Sequence, residues 1–548
     1  MSKAEYQAQR MINKYSLFNK GSNCWQIADA NRVSVLVDGS AYFAAFREAV
    51  KRARHSVLIV GWDIDSRTRL LRGLAQDDFP VELGTFLDAV VRRRPTLQVY
   101  LLSWDFAALY WQEREWFIRY KLQWRTHQRL HFALDGTHAV AGSHHQKIVV
   151  VDDAVAFVGG LDLTKRRWDT PARHADDPRR TDTEGEQYPP FHDIQMMVDG
   201  EAAAALGRLL RRRWQQATGE SLSQPEAIAI DPWPSSIQPI IRNAKVAIVR
   251  TEPGIGDKPA VREVEQLYLD MIAAARETIY IENQYLTSHV IGAALCDRLR
   301  AADGPEVLLI LPMQTSGWLE QVTMDVLRAR LLEQLRSADI HGRLRVYYPV
   351  VPDLTDDCVN VHAKLIIVDD RLLRIGSANL SNRSMGLDSE CDLALEARND
   401  KHRMAIKGFR DHLLSQHLGV EQSVVSSALV LTGSLNAAVD SLRGGARTLS
   451  ELDGQISVLL DNAVPAATVI DPEQPLAVQA LLAHFVPGIQ LEGSAGFWVS
   501  SRVSDMALLS FGLALRWTPL ARWLDAGLNH LQWPLDISLD LLDSLKER

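Results

Sequence analysis

The sequence has little that would connect it to a disulfide framework, a zinc site or a membrane span. Its 548 residues include only four cysteines, and no two of them have the C-x-x-C spacing. Neither a disulfide scaffold nor a metal site is therefore predicted. The longest apolar run, residues 506–515, ends at Arg516, and it is shorter than the roughly 18–20 residues that cross a bilayer.

The chain also lacks the excess of positive charge that is typical of nucleic-acid-binding proteins. Its formal net charge is −8 and its hydrophobic fraction is 47%, which is ordinary for a soluble globular protein. The N-terminal segment MSKAEYQAQRMINKYSLF has no apolar core of a signal peptide. We therefore expect a cytoplasmic or peripherally membrane-bound protein with no nucleic-acid partner. Export as an effector by a route that needs no signal sequence stays open.

One motif, H-x-K-x-x-x-x-D, occurs twice. Its residues are His145, Lys147 and Asp152 in HHQKIVVVDD, and His362, Lys364 and Asp369 in VHAKLIIVDD. Lysine is scarce, with thirteen of the sixty basic residues, so two chance copies in matching contexts are not expected. Side chains on a strand alternate between faces, so each His shares a face with its Lys while the Asp has the opposite parity. The two Asp are therefore predicted to be structural.

A doubled His–Lys pair suits phosphodiester chemistry. Two lysines neutralise a phosphate, one imidazole attacks phosphorus, and the other protonates the leaving oxygen. One His must be neutral and the other protonated, so their environments must separate two otherwise equal pKa values. This chemistry needs no cofactor, and none is predicted.

The motifs lie within a longer repeat. FREAVKRARHSVLIVGW from Phe46 aligns without a gap with YLDMIAAARETIYIENQ from Tyr268, and each reads as an amphipathic helix followed by a buried strand. Further strands correspond at 97–105 and 306–314, at 129–136 and 343–350, and at 193–199 and 390–396. The sequence thus predicts two similar α/β lobes in residues 1–235 and 236–420, followed by a mostly helical C-terminal appendage in residues 421–548.

The two motifs and the short segments around them resemble those of the phospholipase D superfamily. The resemblance is strongest to phosphatidylcholine-type phospholipases D, in the segments GGLDLTKRRWDT, IYIENQY, GWDID, FHDIQMMVDG and GSANLSNRSMGLDSE. It implies a phospholipase D of bacterial type with eukaryote-like motifs. The resemblance implies α/β/α sandwich lobes related by pseudo-twofold symmetry. It also implies an active site where the two motif strands meet, and catalysis without a metal.

The same resemblance implies roles for the motif residues. His145 would be the nucleophile that forms a phosphohistidine. His362 would protonate the leaving alcohol and then activate water or another alcohol, while Lys147 and Lys364 bind the phosphate.

Acidic and polar residues near the motifs complete the predicted site. Asp193 and Glu390 lead matched strands, and each is expected to hydrogen-bond the far ring nitrogen of the His in its own lobe. Substrate contacts are predicted for Ser377, Asn379, Gly160, Glu282, Asn283, Gln284, Trp62 and Asp63.

The predicted function is that of a phospholipase D, which hydrolyses the distal phosphodiester of glycerophospholipids to phosphatidic acid and free headgroup, with transphosphatidylation to alcohols. The alternatives are a cardiolipin-synthase-like phosphatidyltransferase, a nuclease, and a catalytically silent lipid-binding protein. Intact motifs argue against the silent protein, and the GGLD and IENQY words together with the negative net charge argue against the nuclease. Hydrolysis and transfer share one intermediate, and the sequence does not distinguish between them.

Membrane phospholipid is the expected partner, contacted peripherally. A monomer is sufficient for catalysis, and the oligomeric state stays open.

Overall fold

The computed structural model describes residues 16–73, 77–105, 122, 126–139, 142–225, 230–315, 318–355, 357–453 and 471–473. Its strands are β1 (Gln26–Val37), β2 (Ser56–Gly61), β3 (Gln98–Trp104), β4 (Leu130–Asp135), β5 (Ile148–Val151), β6 (Val155–Gly159), β7 (Phe191–His192), β8 (Ile194–Asp199), β9 (Ile241–Glu252), β10 (Val261–Arg262), β11 (Thr278–Glu282), β12 (Glu306–Ile310), β13 (Leu344–Val350), β14 (Asn360–Val361), β15 (Leu365–Val368), β16 (Leu372–Gly376), β17 (Glu390–Glu396) and β18 (Thr448–Glu451). Its helices are α1 (Asp38–Arg52), α2 (Leu83–Arg93), α3 (Gly200–Thr218), α4 (Glu263–Ala274), α5 (His289–Arg300), α6 (Trp318–Ala338), α7 (Asn382–Gly386), α8 (Asp400–Leu418), α9 (Gln422–Thr432) and α10 (Leu435–Leu442). None of the helices in these ranges is both long enough and apolar enough to cross a membrane.

Sixteen of the described strands form one sheet, and its two halves have the same strand order. From the centre outward, the first half runs β1-β8-β6-β5-β2-β3-β4 and the second runs β9-β17-β16-β15-β11-β12-β13. The halves meet where β1 and β9 pair in antiparallel fashion. The prediction of two similar α/β lobes is therefore confirmed.

Helices cover both faces of this sheet, which explains why the motif strands read as unbroken apolar runs. In β5, Ile148 and Val150 pack into a core that includes residues of α3, while Val149 and Val151 pack into a core with residues of α1 and α2. The alternation follows from the period of two along a strand. Each lobe is thus an α/β/α sandwich, as predicted.

The start of the predicted appendage packs against the second lobe. After α9 and α10, strand β18 pairs in antiparallel fashion with β13 and extends the sheet at that edge. Residues 454–470 and 474–548, which include the rest of the predicted appendage, lie outside the described residues. The predicted boundaries of the lobes and the appendage stay predictions.

The motif aspartates make the same contacts in both lobes. Asp152 accepts the backbone N–H groups of residues 54–56, each at 2.7 Å. Asp369 accepts those of residues 276–278 at 2.8, 2.8 and 2.9 Å. Each carboxylate therefore fixes the turn that leads into the neighbouring strand, β2 or β11.

We expect Asp152→Asn to lower the free energy of unfolding by about 2–3 kcal/mol, because it weakens charge-assisted bonds in a buried turn. Asp369→Asn is the matched variant in the other lobe. Its turn is more exposed to water, so a loss of about 1 kcal/mol is expected. Asparagine tolerates the positive φ of both positions, 52° and 53°. Urea unfolding measures both losses, and a larger loss for Asp369→Asn would contradict this account.

Candidate active site

Each His–Lys segment enters the site hydrogen-bonded to the opposite lobe. The two-residue strands β7 and β14 pair in parallel fashion across the lobes. The backbone N–H of His362 donates to the carbonyl of His192 at 2.7 Å, and that of His145 donates to the carbonyl of Ser389 at 2.9 Å. These short interlobe ladders bring the two motifs together where the two lobes meet.

The two carboxylates lie beside the imidazoles of the opposite lobes. Nδ1 of His145 is 3.0 and 3.1 Å from the carboxylate oxygens of Glu390, and Nδ1 of His362 is 2.6 Å from Oδ2 of Asp193. The prediction that each carboxylate serves the His of its own lobe is wrong. The reason is that the interlobe ladders place the start of β8 or β17 next to the motif of the other lobe. Because both Nδ1 atoms are bonded, Nε2 is left for chemistry in each ring.

The two lysines are buried and lie beside the imidazoles. Nζ of Lys364 donates to Oε1 of Gln284 at 3.1 Å and to the carbonyl of His362 at 2.5 Å. Nζ of Lys147 lies 3.0 Å from Oδ2 of Asp162. The structure thus brings Gln284 of the IENQY word to a motif lysine, and its predicted substrate contact stays a prediction.

Burial and the lysine charges set the protonation of this centre. Burial, then Lys147 and Lys364, hold the pKa of His145 well below its ordinary value, and burial followed by Lys364 does the same for His362. Burial raises the pKa of Asp193 to about 7 and lowers that of Lys364 to about 7. His145 is therefore neutral, with a free lone pair on Nε2. The His362–Asp193 pair holds an exchangeable proton near neutral pH.

Glu390 has two hydroxyl donors of its own. Ser377 donates to Oε2 at 2.5 Å, and Ser384 donates to Oε1 at 2.7 Å. The Ser377 hydroxyl also accepts the N–H of Cys391 at 3.0 Å, and the side chain is fully buried. The prediction that Ser377 binds a phosphate oxygen is wrong, because its hydroxyl is already used inside the protein. Ser384 was not among the residues predicted for the site.

Gly160 occupies the position in the first lobe that Ser377 occupies in the second. A Cβ atom at Gly160 would lie 2.2 Å from Oδ1 and 2.5 Å from Oδ2 of Asp193. The glycine therefore leaves room for the carboxylate that bonds His362. Its predicted contact with substrate stays a prediction.

We expect Gly160→Ala to lower kcat for phosphodiester cleavage about a hundredfold with little change in KM. The reason is that the new methyl group must displace Asp193 from His362. Gly136→Ala is the matched control, since a Cβ atom there meets its nearest neighbour at 3.5 Å. Steady-state kinetics and the melting temperature of both variants test this expectation. A Gly160→Ala enzyme with wild-type kcat would contradict the proposed placement of Asp193.

Glu282 is fully buried and both of its oxygens are bonded inside the protein. Oε2 lies 2.6 Å from Nε2 of His192, and Oε1 lies 3.1 Å from Nε2 of His417. The Tyr280 hydroxyl also donates to Glu282. The prediction that Glu282 contacts substrate is wrong, because a buried carboxylate must find its partners within the protein and here they come from other elements.

The four remaining predicted substrate residues have hydrogen bonds or ring contacts within the protein. The side-chain oxygen of Asn283 accepts the N–H of Leu380 at 3.0 Å. Asp63 accepts the hydroxyl of Thr164 at 2.6 Å. The Trp62 N–H donates to Asp162 at 2.9 Å, and the centroid of the Trp62 ring lies 5.6 Å from that of the Trp104 ring. The Asn379 N–H donates to the hydroxyl of Ser384 at 3.1 Å. Substrate contacts by these four residues stay predictions.

One group within the described part of the chain has the composition of a metal site, namely His192, Glu282 and His417. Its ligand atoms are already hydrogen-bonded to one another at 2.6 and 3.1 Å. Tetrahedral zinc with ligand bonds of about 2.0–2.1 Å would hold them farther apart. A guanidinium nitrogen of Arg173 also lies 2.6 Å from His192. The geometry therefore fits a proton-bonded cluster better than a cation site.

Two family models match this chain. The model described as "Phospholipase D" matches residues 49–294, and that described as "Cardiolipin synthase, PLD-like domain" matches residues 268–411. Each match contains one copy of the motif. The chain belongs to the phospholipase D superfamily. Its eukaryote-like and bacterial character stays a prediction.

Similar superfamily proteins include phospholipase D A of Dictyostelium discoideum, which is 24% identical over 477 residues, and phospholipase D alpha 1 of Carica papaya, which is 24% identical over 518 residues. The first alignment covers 71% of this chain and 36% of the relative, and the second covers 68% and 63%. The chain therefore spans less than two thirds of either relative. Among solved structures, phosphatidylserine synthase of Haemophilus influenzae Rd KW20 matches with 14% identity and a TM-score of 0.48, over 76% of this chain and 91% of that one.

Proposed function

We propose that this chain is a phospholipase D that cleaves the distal phosphodiester of glycerophospholipids and passes the phosphatidyl group to water or to an alcohol. One observation carries the proposal. Two imidazoles, each bonded through Nδ1 to a buried carboxylate, meet two buried lysines where the lobes join. This arrangement provides a nucleophile, a general acid and two cations for one phosphodiester.

In the first step, Nε2 of His145 attacks phosphorus. The bond from phosphorus to the headgroup oxygen breaks, and that oxygen takes the proton from Nε2 of His362. Lys147 and Lys364 neutralise the non-bridging oxygens as negative charge develops. The products are the free headgroup alcohol and a phosphatidyl group bonded to His145.

In the second step, His362 accepts a proton from water or from an alcohol. The resulting oxygen nucleophile attacks phosphorus and the bond to Nε2 of His145 breaks. Water yields phosphatidic acid, whereas an alcohol yields a new phosphodiester. Both histidines return to their starting states, so the cycle balances without a cofactor.

A dedicated phosphatidyltransferase is the second candidate. The match of residues 268–411 to a cardiolipin-synthase-type domain favours it, because such an enzyme uses the same intermediate with an alcohol as acceptor. The two candidates differ only in which acceptor reaches the phosphatidyl group.

The test is to incubate the purified chain with vesicles of phosphatidylcholine, phosphatidylethanolamine and phosphatidylglycerol, with and without ethanol, and to identify the products by mass spectrometry. We expect phosphatidic acid without ethanol, and phosphatidylethanol at its expense as ethanol is added. Headgroup release should stay nearly constant if forming the intermediate limits the rate. Transfer products without phosphatidic acid would favour the transferase. The absence of both, at protein levels that bind the vesicles, would overturn the proposal.

A further inference from the structure

A buried histidine links the two lobes behind the His362–Asp193 pair. Nδ1 of His192 lies 2.7 Å from Oδ1 of Asp38 in the first lobe, and Nε2 lies 2.6 Å from Oε2 of Glu282 in the second. All three side chains are without exposed surface. A histidine with a carboxylate at each ring nitrogen donates from both and is an imidazolium.

The charges around this ring balance. Nη2 of Arg173 lies 2.6 Å from Nδ1 of His192 and 3.0 Å from Oδ2 of Asp38, so two cations face two carboxylates. Burial and Arg173 oppose protonation of His192, but Glu282 and Asp38 outweigh them and raise its pKa. On the far side of Glu282, burial lowers the pKa of His417 to about 4. His417 is therefore a neutral donor to Glu282, and the cluster has no excess charge.

Both ends of the cluster are connected to the catalytic groups through one or two residues of backbone. The Asp38 N–H donates to the Asp193 carbonyl at 2.8 Å, and Asp38 Oδ1 accepts the Asp193 N–H at 3.2 Å. The His192 carbonyl accepts the His362 N–H at 2.7 Å. Glu282 lies two residues before Gln284, which holds a motif lysine. The His192 residue is thus linked, through hydrogen bonds and adjoining backbone, to His362, to Asp193 and to the segment that carries Gln284.

The pseudo-equivalent position in the second lobe lacks this cation. The residue before Glu390 is Ser389, whose hydroxyl lies 3.0 Å from Nδ1 of His144. Nε2 of His144 lies 3.2 Å from Asp135, and Arg213 neutralises that carboxylate. Burial lowers the pKa of His144 to about 4, so this ring is neutral. The side chains next to the His145–Glu390 pair on this side are therefore a hydroxyl and a neutral ring, and the charges of Asp135 and Arg213 beyond them cancel.

We propose that His192 is a positioning residue for the general acid, and that its buried positive charge is what makes His362, and not His145, carry the proton to the leaving oxygen. The proposal rests on the proposed function. Burial raises the pKa of Asp193, and Lys364, the Ile194 N–H and then the charge of His192 oppose that rise. An ionised Asp193 in turn stabilises His362 with protons on both ring nitrogens. Without that charge the pKa of Asp193 would rise further, and a protonated Asp193 is a poor acceptor for the His362 ring.

The test compares His192→Gln, which removes a charge, with His144→Gln, which replaces the neutral ring bonded to Ser389, the pseudo-equivalent of His192. Each variant is assayed on short-chain phosphatidylcholine, whose choline leaves poorly, and on a nitrophenyl phosphodiester, whose leaving group needs little acid assistance. His192→Gln should lose about a hundredfold in kcat on the lipid and less than about tenfold on the nitrophenyl ester, with little change in KM. His144→Gln should lose the same small factor on both. Melting temperatures check that both variants are folded.

Equal losses on the two substrates for a folded His192→Gln, or no loss, would overturn the proposal. Should His192→Gln and His192→Asn both fail to fold, histidine ¹⁵N NMR of the His362→Asn chain decides. We expect a doubly protonated ring that persists at about pH 8 in a His362→Asn chain, and its absence would overturn the proposal. A wild type inactive on both substrates, or a fully active His362→Asn enzyme, would instead overturn the proposed function.

Discussion

Replacing His145 or His362 with alanine is expected to lower turnover of phosphatidylcholine by at least about a thousandfold while leaving the fold intact. His145 supplies the nucleophilic nitrogen and His362 supplies and recovers the proton, so neither can substitute for the other. His402→Ala is the matched control, since the His402 side chain is buried and bonds a backbone carbonyl, at 3.0 Å. Release of choline, measured on folded variants, gives the result.

The two variants should differ on a substrate with a good leaving group. His362→Ala should release nitrophenol from a nitrophenyl phosphodiester in a burst of about one per chain, because breaking that bond needs little proton transfer, and should then turn over slowly because no base activates the acceptor. His145→Ala should stay inactive on both substrates. Residual activity within tenfold of wild type on phosphatidylcholine, for either variant, would refute these roles.

The second large effect concerns the crossed carboxylates. Asp193→Asn and Glu390→Gln should each lower kcat on phosphatidylcholine on the order of a thousandfold, as loss of a carboxylate that holds the correct tautomer does in other sites. Since Asp193 bonds His362, its variant should release the first equivalent of nitrophenol from the nitrophenyl ester nearly as fast as the wild type, as the general-acid variant does. Glu390→Gln should lose activity on both substrates, because its partner His145 is the nucleophile.

The opposite pattern, with Glu390→Gln rescued and Asp193→Asn not, would indicate that the histidine roles are exchanged. If neither variant responded to the leaving group, the separation of acid and nucleophile pairs would be wrong. Kinetics on the two substrates therefore test the crossed geometry directly.

The architecture could be predicted because its signals are local. The buried strands β5 and β15 read as continuous apolar runs, and the motif parity placed His145 and Lys147 on one face. The sequence repeat then predicts a second lobe with the same architecture. Long segments with strong periodicity carry this information in adjacent residues.

The carboxylate pairing could not be predicted, because it depends on contacts between distant parts of the chain. The pairs His145–Glu390 and His362–Asp193 follow from the two-residue strands β7 and β14 and from one isolated bridge at residues 144 and 389. Such short interlobe ladders have no sequence pattern of their own.

Two of the predicted substrate residues failed for the same physical reason. Glu282 and Ser377 are polar residues in the expected words, but each is buried and finds its hydrogen-bond partner on another element. Burial obliges a polar side chain to be satisfied inside the protein. The sequence identifies the residue type, whereas only the fold shows whether the polar atoms face substrate or protein.

The most direct test of the account is to trap the covalent intermediate. The His362→Asn enzyme should attack a labelled substrate with a good leaving group but should not activate the acceptor. After an alkaline quench, which preserves a phosphoramidate, peptide mapping should find one phosphatidyl group per chain, on His145. An acid quench should release it, and a His145→Ala, His362→Asn double variant should remain unlabelled. Label on His362 in the wild type, or turnover without any adduct in a rapid quench, would contradict the central claim that His145 carries the phosphatidyl group.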